Sequence, residues 1–359
     1  MKKIFVCFAM IAMIFLVACG DDSSLYESKE DFGDTGSGSL GKICTGQNKC
    51  YNDDLYNYEE EEITCPNSQD ADFFGQDAYY ASLGKCTPHS FTVQTLSNQN
   101  VVYDNNTSLM WQQTIPRKYY TWDDALSYCD GLTYAGYSDW RLPTPQELLT
   151  IVDNSRSDPA IDTTFFPDTP NNWFWSSSTY VDNTSYAWGV TFGIGYVASN
   201  DKHHHIYVRC VRGTTSPATS FNSSTVNGDV ILNVKIVRAA LHTDSGAVGA
   251  TDTKTGLVWQ KSYVEDKSWQ DALSYCENLA YAGYSDWRLP NKNELASLVN
   301  YEKYDPASKF PDMPSEYFWS SSTYVDGRDI AWGVGFHIGD VYGKNKSSKS
   351  LVRCVRTGN

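Results

Sequence analysis

Two arginine–glutamate pairs, two serine triplets and two loops of basic residues are the side chains of this sequence with chemistry to offer. Arg141 precedes Glu147, and Arg288 precedes Glu294, by the same spacing. A carboxylate beside a cation suits a general base. Each glutamate, however, also closes a stretch, Thr144-Pro-Gln-Glu147 or Asn291-Lys-Asn-Glu294, with the form of a helix capping box. The plainer reading is a cap carboxylate held by a neighbouring arginine. Ser176–Ser178 and Ser320–Ser322 supply hydroxyls, but no Gly-x-Ser-x-Gly elbow surrounds them and neither copy has a matching histidine, which speaks against a serine hydrolase. The loop Lys202, His203, His204, His205 suits weak transition-metal binding. Its counterpart carries Lys344, Lys346 and Lys349, near Arg353 and Arg356, and suits sulfate or phosphate groups. Both are candidate ligand loops, together with 182–186 and 326–330, and solvation is the plainer reading of each. No cofactor or metal site is read.

These residues recur because the sequence contains one unit twice. Ala125-Leu-Ser-Tyr-Cys129 returns as Ala272-Leu-Ser-Tyr-Cys276, Tyr134-Ala-Gly-Tyr-Ser-Asp-Trp-Arg-Leu-Pro143 as 281–290, and Phe174-Trp-Ser-Ser-Ser-Thr-Tyr-Val-Asp182 as 318–326. A unit this long with its own cysteine pair is a domain. Each copy opens with a strand and an Asp-rich turn rather than a calcium loop. A first helix follows, capped by Thr121 or Ser268, with one apolar face formed by Trp122, Ala125, Leu126 and Cys129, or by Trp269, Ala272, Leu273 and Cys276. The capping boxes start a second helix. The remainder (173–180, 186–192, 195–198 and 206–212 in the first copy) reads as short strands, with Cys210 on the last. This pattern predicts an α+β fold with a meander of antiparallel strands. The many tryptophans and tyrosines are assigned to the core rather than to a sugar platform.

Residues 1–18 read as a signal peptide, with basic Lys2 and Lys3, an apolar run and a closing Leu16-Val-Ala-Cys19 that resembles a lipobox; Cys19 becomes the lipid-bearing residue. Residues 19–42 read as a flexible stalk, 43–87 as a Cys-rich module, 88–213 and 240–359 as the two domains, and 214–239 as a linker. Eight cysteines remain and fit an oxidising compartment. Cys129–Cys210 and Cys276–Cys354 are paired within the copies, whereas Cys44, Cys50, Cys65 and Cys86 allow three connectivities. The net charge of −15 concentrates in the stalk and module and disfavours a nucleic-acid partner.

The Trp-Arg-Leu-Pro-Thr block, the Trp-Ser-Ser-Ser-Thr-Tyr strand, Ala-Trp-Gly-Val and the closing Val-Arg-Cys-Val-Arg resemble the Lcl C-terminal domain family, named for the carbohydrate-binding end of a collagen-like adhesin. The resemblance spans both copies. It implies two tandem C-type-lectin-like domains in a cell-surface setting, and Gly20 after the lipobox favours outer-membrane or surface display. The expected function is non-enzymatic binding of a glycan or other macromolecule. A structural envelope component and an enzyme related to the formylglycine-generating fold are the alternatives. Related domains bind sulfated glycans, which needs a basic face, and the overall acidity of this chain departs from that pattern.

Overall fold

Each copy begins where the sequence places its turn. Asp104 accepts hydrogen bonds from the Asn106 N–H at 2.9 Å and the Thr107 hydroxyl at 2.6 Å, and Asp252 accepts from Lys254 N–H at 3.0 Å and the Thr255 hydroxyl at 2.8 Å. A side chain that satisfies its own backbone in this way folds the chain back on itself. In the first copy, strands Phe91–Leu96, Gln99–Asp104, Met110–Gln112 and Val211–Arg212 form a four-stranded sheet in that spatial order. Val234–Arg238, Val248–Asp252, Leu257–Trp259 and Val355–Thr357 repeat the order in the second.

This computed structural model describes residues 39–52, 62–69, 71–213, 248–252, 254–310 and 312–358, with the backbone of strands Ser224–Val226, Asp229–Ile231 and Val234–Arg238. The signal segment, Cys19 and most of the stalk lie outside the described residues. Among the described residues the architecture has five α-helices and many antiparallel strands. No helix among the described residues is long and apolar enough to cross a membrane.

The helices begin where the caps require. Thr121 and Ser268 accept from the backbone of Asp124 and Asp271 at the starts of Trp122–Asp130 and Trp269–Glu277. Full capping boxes start Pro145–Leu149 and Lys292–Ser297. Among the described residues four disulfides close the fold: Cys44–Cys86, Cys50–Cys65, Cys129–Cys210 and Cys276–Cys354. Cys210 lies just before strand Val211–Arg212 rather than on it, so the bridge ties the first helix to the approach of the closing strand.

Three boundaries differ from expectation. The strand Val234–Arg238 falls within residues assigned to the linker, yet it pairs with Val248–Asp252 as Phe91–Leu96 pairs with Gln99–Asp104. The second copy therefore starts inside 214–239. The stalk ends earlier than residue 42, because Leu40 is 5 % exposed within the core and Gly41 stands where a Cβ would lie 2.9 Å from Ser297 Oγ. The copies are also not separate bodies. Tyr317–Tyr324, Gly327–Gly335 and Asp340–Asn345 join Tyr196–Asp201, Tyr186–Thr191 and Trp173–Thr179 edge to edge through Val341 and Val197 in one eight-stranded sheet. One apolar cluster holds Val152, Trp188 and Val197 with Val299, Tyr301 and Val341. Lys292 spans the junction, donating to Asn154 Oδ1 at 2.7 Å and Gly195 O at 2.6 Å. Removing Gly195's neighbours from this junction would expose apolar surface on both copies at once. Calorimetry is therefore expected to give one cooperative unfolding transition; two well-separated transitions would contradict the shared core.

Candidate functional site

The same face is built in both copies. The Trp122 N–H donates to Lys202 O at 3.0 Å, and the Trp269 N–H to Lys346 O at 2.9 Å. The loop lysine is thereby carried onto the first tryptophan of the helix. Its ammonium lies 3.8 Å from the Trp122 ring centroid in one copy and 4.4 Å from Trp269 in the other. Each indole N–H reaches back to a strand carbonyl, Ser176 or Ser320, at 2.8 Å. The next serine on each strand donates its N–H to the Arg-Leu-Pro block, Ser177 to Pro143 O at 2.7 Å and Ser321 to Pro290 O at 2.8 Å. That block supplies the arginine. Arg141 grips Glu147 through two bonds of 2.7 and 2.6 Å, and Arg288 grips Glu294 through two of 2.6 Å. Tryptophan, lysine, a Ser-Ser-Thr strand and a forked arginine thus form one surface, held by local backbone bonds.

In the second copy the Cys-rich module covers this surface. Phe73 stacks on Trp269 at 6.4 Å. Asp77 accepts from Ser322 Oγ at 2.7 Å and from the module's own Thr45 hydroxyl. Tyr80 lies 5.3 Å from the Arg288 guanidinium and donates its hydroxyl to Glu277 at 2.5 Å. The Gln47 side-chain amide bonds both the N–H (3.0 Å) and the carbonyl of Thr323, and Lys346 donates to Asn52 O at 3.1 Å. No such cover lies on the first copy among the described contacts. The Arg141 side chain is 37 % exposed against 5 % for Arg288. Trp122, Ser177, Ser178, Thr179 and Lys202 are half-buried, where Trp269, Ser321, Ser322, Thr323 and Lys346 are buried. Nine of the eleven tryptophans are fully buried, as a core assignment requires, which leaves Trp122 among the few that are not.

The two candidate ligand loops separate on inspection. Lys202 belongs to the open face and donates to Thr179 Oγ1 at 2.9 Å. His203, His204 and His205 are exposed beside it, and no cluster of metal-ligating side chains occurs among the described residues. Lys344, Lys346 and Lys349 do not form a cationic patch. Lys344 donates to Lys349 O at 3.1 Å and Ser350 Oγ at 2.8 Å, Lys346 is buried under the module, and Lys349 alone is exposed. Arg353 is buried and spent on the carbonyls of Gln260, Lys261 and Asp312, and Arg356 is paired with Asp286 at 2.7 Å. The hydroxyls of Ser176 and Ser320 donate to the Trp188 and Trp332 carbonyls at 2.8 Å, which makes them strand ties. Arg141–Glu147 and Arg288–Glu294 serve the capping boxes as expected. Of the two further loops, 326–330 is in use: Asp326 accepts from Ser157 across the junction at 2.8 Å, and Arg328 lies over Tyr51.

Sequence reasoning missed Asp77, Tyr80 and the exposure of Trp122. A signal was present: Phe73, Phe74, Tyr79 and Tyr80 sit in a segment otherwise read only as acidic. The crevice left between module and second copy, lined by Asp77, Tyr80, Arg288, Glu294 and Ser321, has no room for a water molecule, and so none for a ligand of ordinary size.

Burial pushes the Asp77 carboxyl up to about 6, against the Thr45 and Ser322 hydroxyls that pull it down. Burial likewise pushes Glu277 up to about 7. A carboxyl raised in the folded state favours folding in its protonated form. The stability it contributes is complete below the ordinary carboxylate range, near pH 4, and is lost as pH rises through about 6 and about 7. The urea midpoint should therefore fall between about pH 4 and about pH 8, and Asp77→Asn should flatten the lower part of that slope. A midpoint that rises across this window would contradict the buried placement.

The fold is a pair of fused, disulfide-braced repeats with few helices and many antiparallel strands, each building one tryptophan–arginine–hydroxyl face. The model of the Lcl C-terminal domain matches residues 100–212 and 249–356. The matches cover more than half of the chain, which belongs to the Lcl C-terminal domain family and carries two copies of its domain. A search of curated proteins found no similar sequence.

Proposed function

We propose that this chain is a non-enzymatic binding protein displayed on the cell envelope, and that the face of the first repeat around Trp122 and Arg141 is where its macromolecular ligand sits. One observation carries the reading. The chain builds the same face twice, covers one copy with its own module and leaves the other open. A face that needed no partner would gain from equal cover, because half-exposed tryptophan and unfilled hydroxyls forgo burial and hydrogen bonds. Tyrosine, tryptophan and arginine are also the residues that dominate binding hot spots. The helix-to-closing-strand disulfide and two helices per repeat support a C-type-lectin-like domain plan. The signal segment and Cys19 support a lipid-anchored, outer-membrane location, in which two acyl signals hold the chain stably.

A glycan array probed with the purified chain, beside surface-protein binding assays at low and physiological salt, tests this reading. A retained ligand, lost on Trp122→Ala and kept on Lys349→Ala, is the expected result. Ligand binding untouched by Trp122→Ala would place the site elsewhere. Failure of Cys19→Ala to abolish lipid labelling would overturn the anchor.

A further inference from the structure

We propose that the open face of the first repeat takes a protein segment presenting a carboxylate and an aromatic ring one helical turn apart, as Asp77 and Tyr80 do on the second repeat. The inference rests on the reading above that this face is the binding face. It adds the chemistry of the occupant.

The second repeat shows how such a face is filled. Asp77 and Tyr80 lie three apart on helix Asp77–Ser82, so their side chains leave the same side of it. The carboxylate takes the Ser322 hydroxyl at 2.7 Å, and the ring lies 5.3 Å from the Arg288 guanidinium. The ring hydroxyl ends on the acid Glu277 at 2.5 Å. Each receiving group has a counterpart in the first repeat: Ser178 for Ser322, Arg141 for Arg288, and Asp130 for Glu277. The supports are duplicated as well. Arg141 and Arg288 make the same two-bond grip on a capping glutamate, and both indoles bond a serine carbonyl at 2.8 Å. The first face is therefore preformed, which lowers the ordering cost of filling it.

The chemistry favours a protein over a polyanionic glycan. Arg353 and Arg356, the cations that would build a sulfate cradle, are buried and engaged; in the first repeat Arg209 is buried on backbone carbonyls and the half-buried Arg212 is held by Asp139. What remains open is one guanidinium face, one indole with a lysine over it, and strand hydroxyls. Such a surface receives one carboxylate and one ring, with cation–π contact supplied by Arg141. The module's own segment cannot serve within the same molecule, because it is engaged on the second repeat.

The test uses the purified chain and a synthetic peptide of residues 71–85, in linear and helix-constrained forms, with a photo-crosslinker in place of Phe74. Saturable binding with crosslinks confined to the first repeat is expected. Asp77→Ala or Tyr80→Ala in the peptide, and Ser178→Ala in the protein, should each weaken it about tenfold, the loss expected for one energetically significant contact short of a hot spot. Ser178→Ala is the informative protein variant, since it leaves the Arg141 grip intact. A peptide that fails to bind, while another ligand still needs Trp122, would overturn this inference and leave the binding face standing. Crosslinks outside the first repeat would also overturn it. If the peptide fails and no ligand needs Trp122, both readings fall together.

Discussion

Arg288→Ala is expected to destabilise the protein by about 3–5 kcal/mol, and Arg141→Ala by only about 1–2 kcal/mol, although both arginines grip their glutamate through two bonds and Arg141 also donates to the Gly213 carbonyl. The difference comes from what lies above them. Arg288 is 5 % exposed over a glutamate that is 1 % exposed, and Arg141 is 37 % exposed over one that is 3 % exposed. Removing Arg288 strands the Glu294 carboxylate under the module, with the Asn291 N–H at 2.8 Å as its remaining partner. Tyr80 also loses the cation beneath its ring. Removing Arg141 opens a gap that water enters from solvent, so Glu147 is rehydrated. Urea unfolding of both variants reads the difference directly. Adding Glu294→Gln to Arg288→Ala should recover part of the loss, because it removes the stranded charge. Equal losses from the two single variants would mean that the module does not exclude water from the second face.

The second large effect lies in the disulfides. Replacing Cys276 and Cys354 by alanine releases a loop with a separation of 78 residues, nominally about 4–5 kcal/mol through the unfolded chain. Both sulfurs sit in a core with Trp269, Trp287 and Trp319, so the packing loss adds to the loop term. Replacing Cys50 and Cys65 releases a separation of 15, nominally about 3 kcal/mol, and should loosen the module while the repeats stay folded. Thermal melts with near-ultraviolet circular dichroism distinguish the cases. Loss of the tryptophan signal on removing Cys50–Cys65, with no loss on removing Cys276–Cys354, would reverse the assignment of which bridge holds the repeat cores.

How far the sequence carried this picture depended on range. Capping boxes at Thr144 and Asn291 were legible because donor and acceptor lie within one turn. The cysteine pairs of the repeats were legible because duplication marks them. The Lys344–Lys349 loop was misread because its polar composition suggests solvent, whereas Lys346 is taken up by Trp269 and Asn52, residues distant in sequence. The fusion of the repeats was hidden for the same reason. Val197 and Val341 look like ordinary strand residues, and only their pairing reveals that two meander edges close on each other. The strand Val234–Arg238 shares no motif with Phe91–Leu96, so only the common sheet order equates them. Cover of one face by the module has no local signature at all, beyond the phenylalanines and tyrosines of an otherwise acidic segment.

Hydroxyl-radical footprinting of Trp122 against Trp269 tests the central claim most directly, in the native chain and in Asp77→Arg, which sets a cation against Arg288 and expels the module. In the native protein Trp122 should be oxidised several-fold faster, since Trp269 is fully buried beneath Phe73. In Asp77→Arg the rate at Trp269 should rise to that of Trp122, with Trp122 unchanged. Equal rates in the native chain, or a Trp122 rate that changes with the variant, would contradict one open and one covered face.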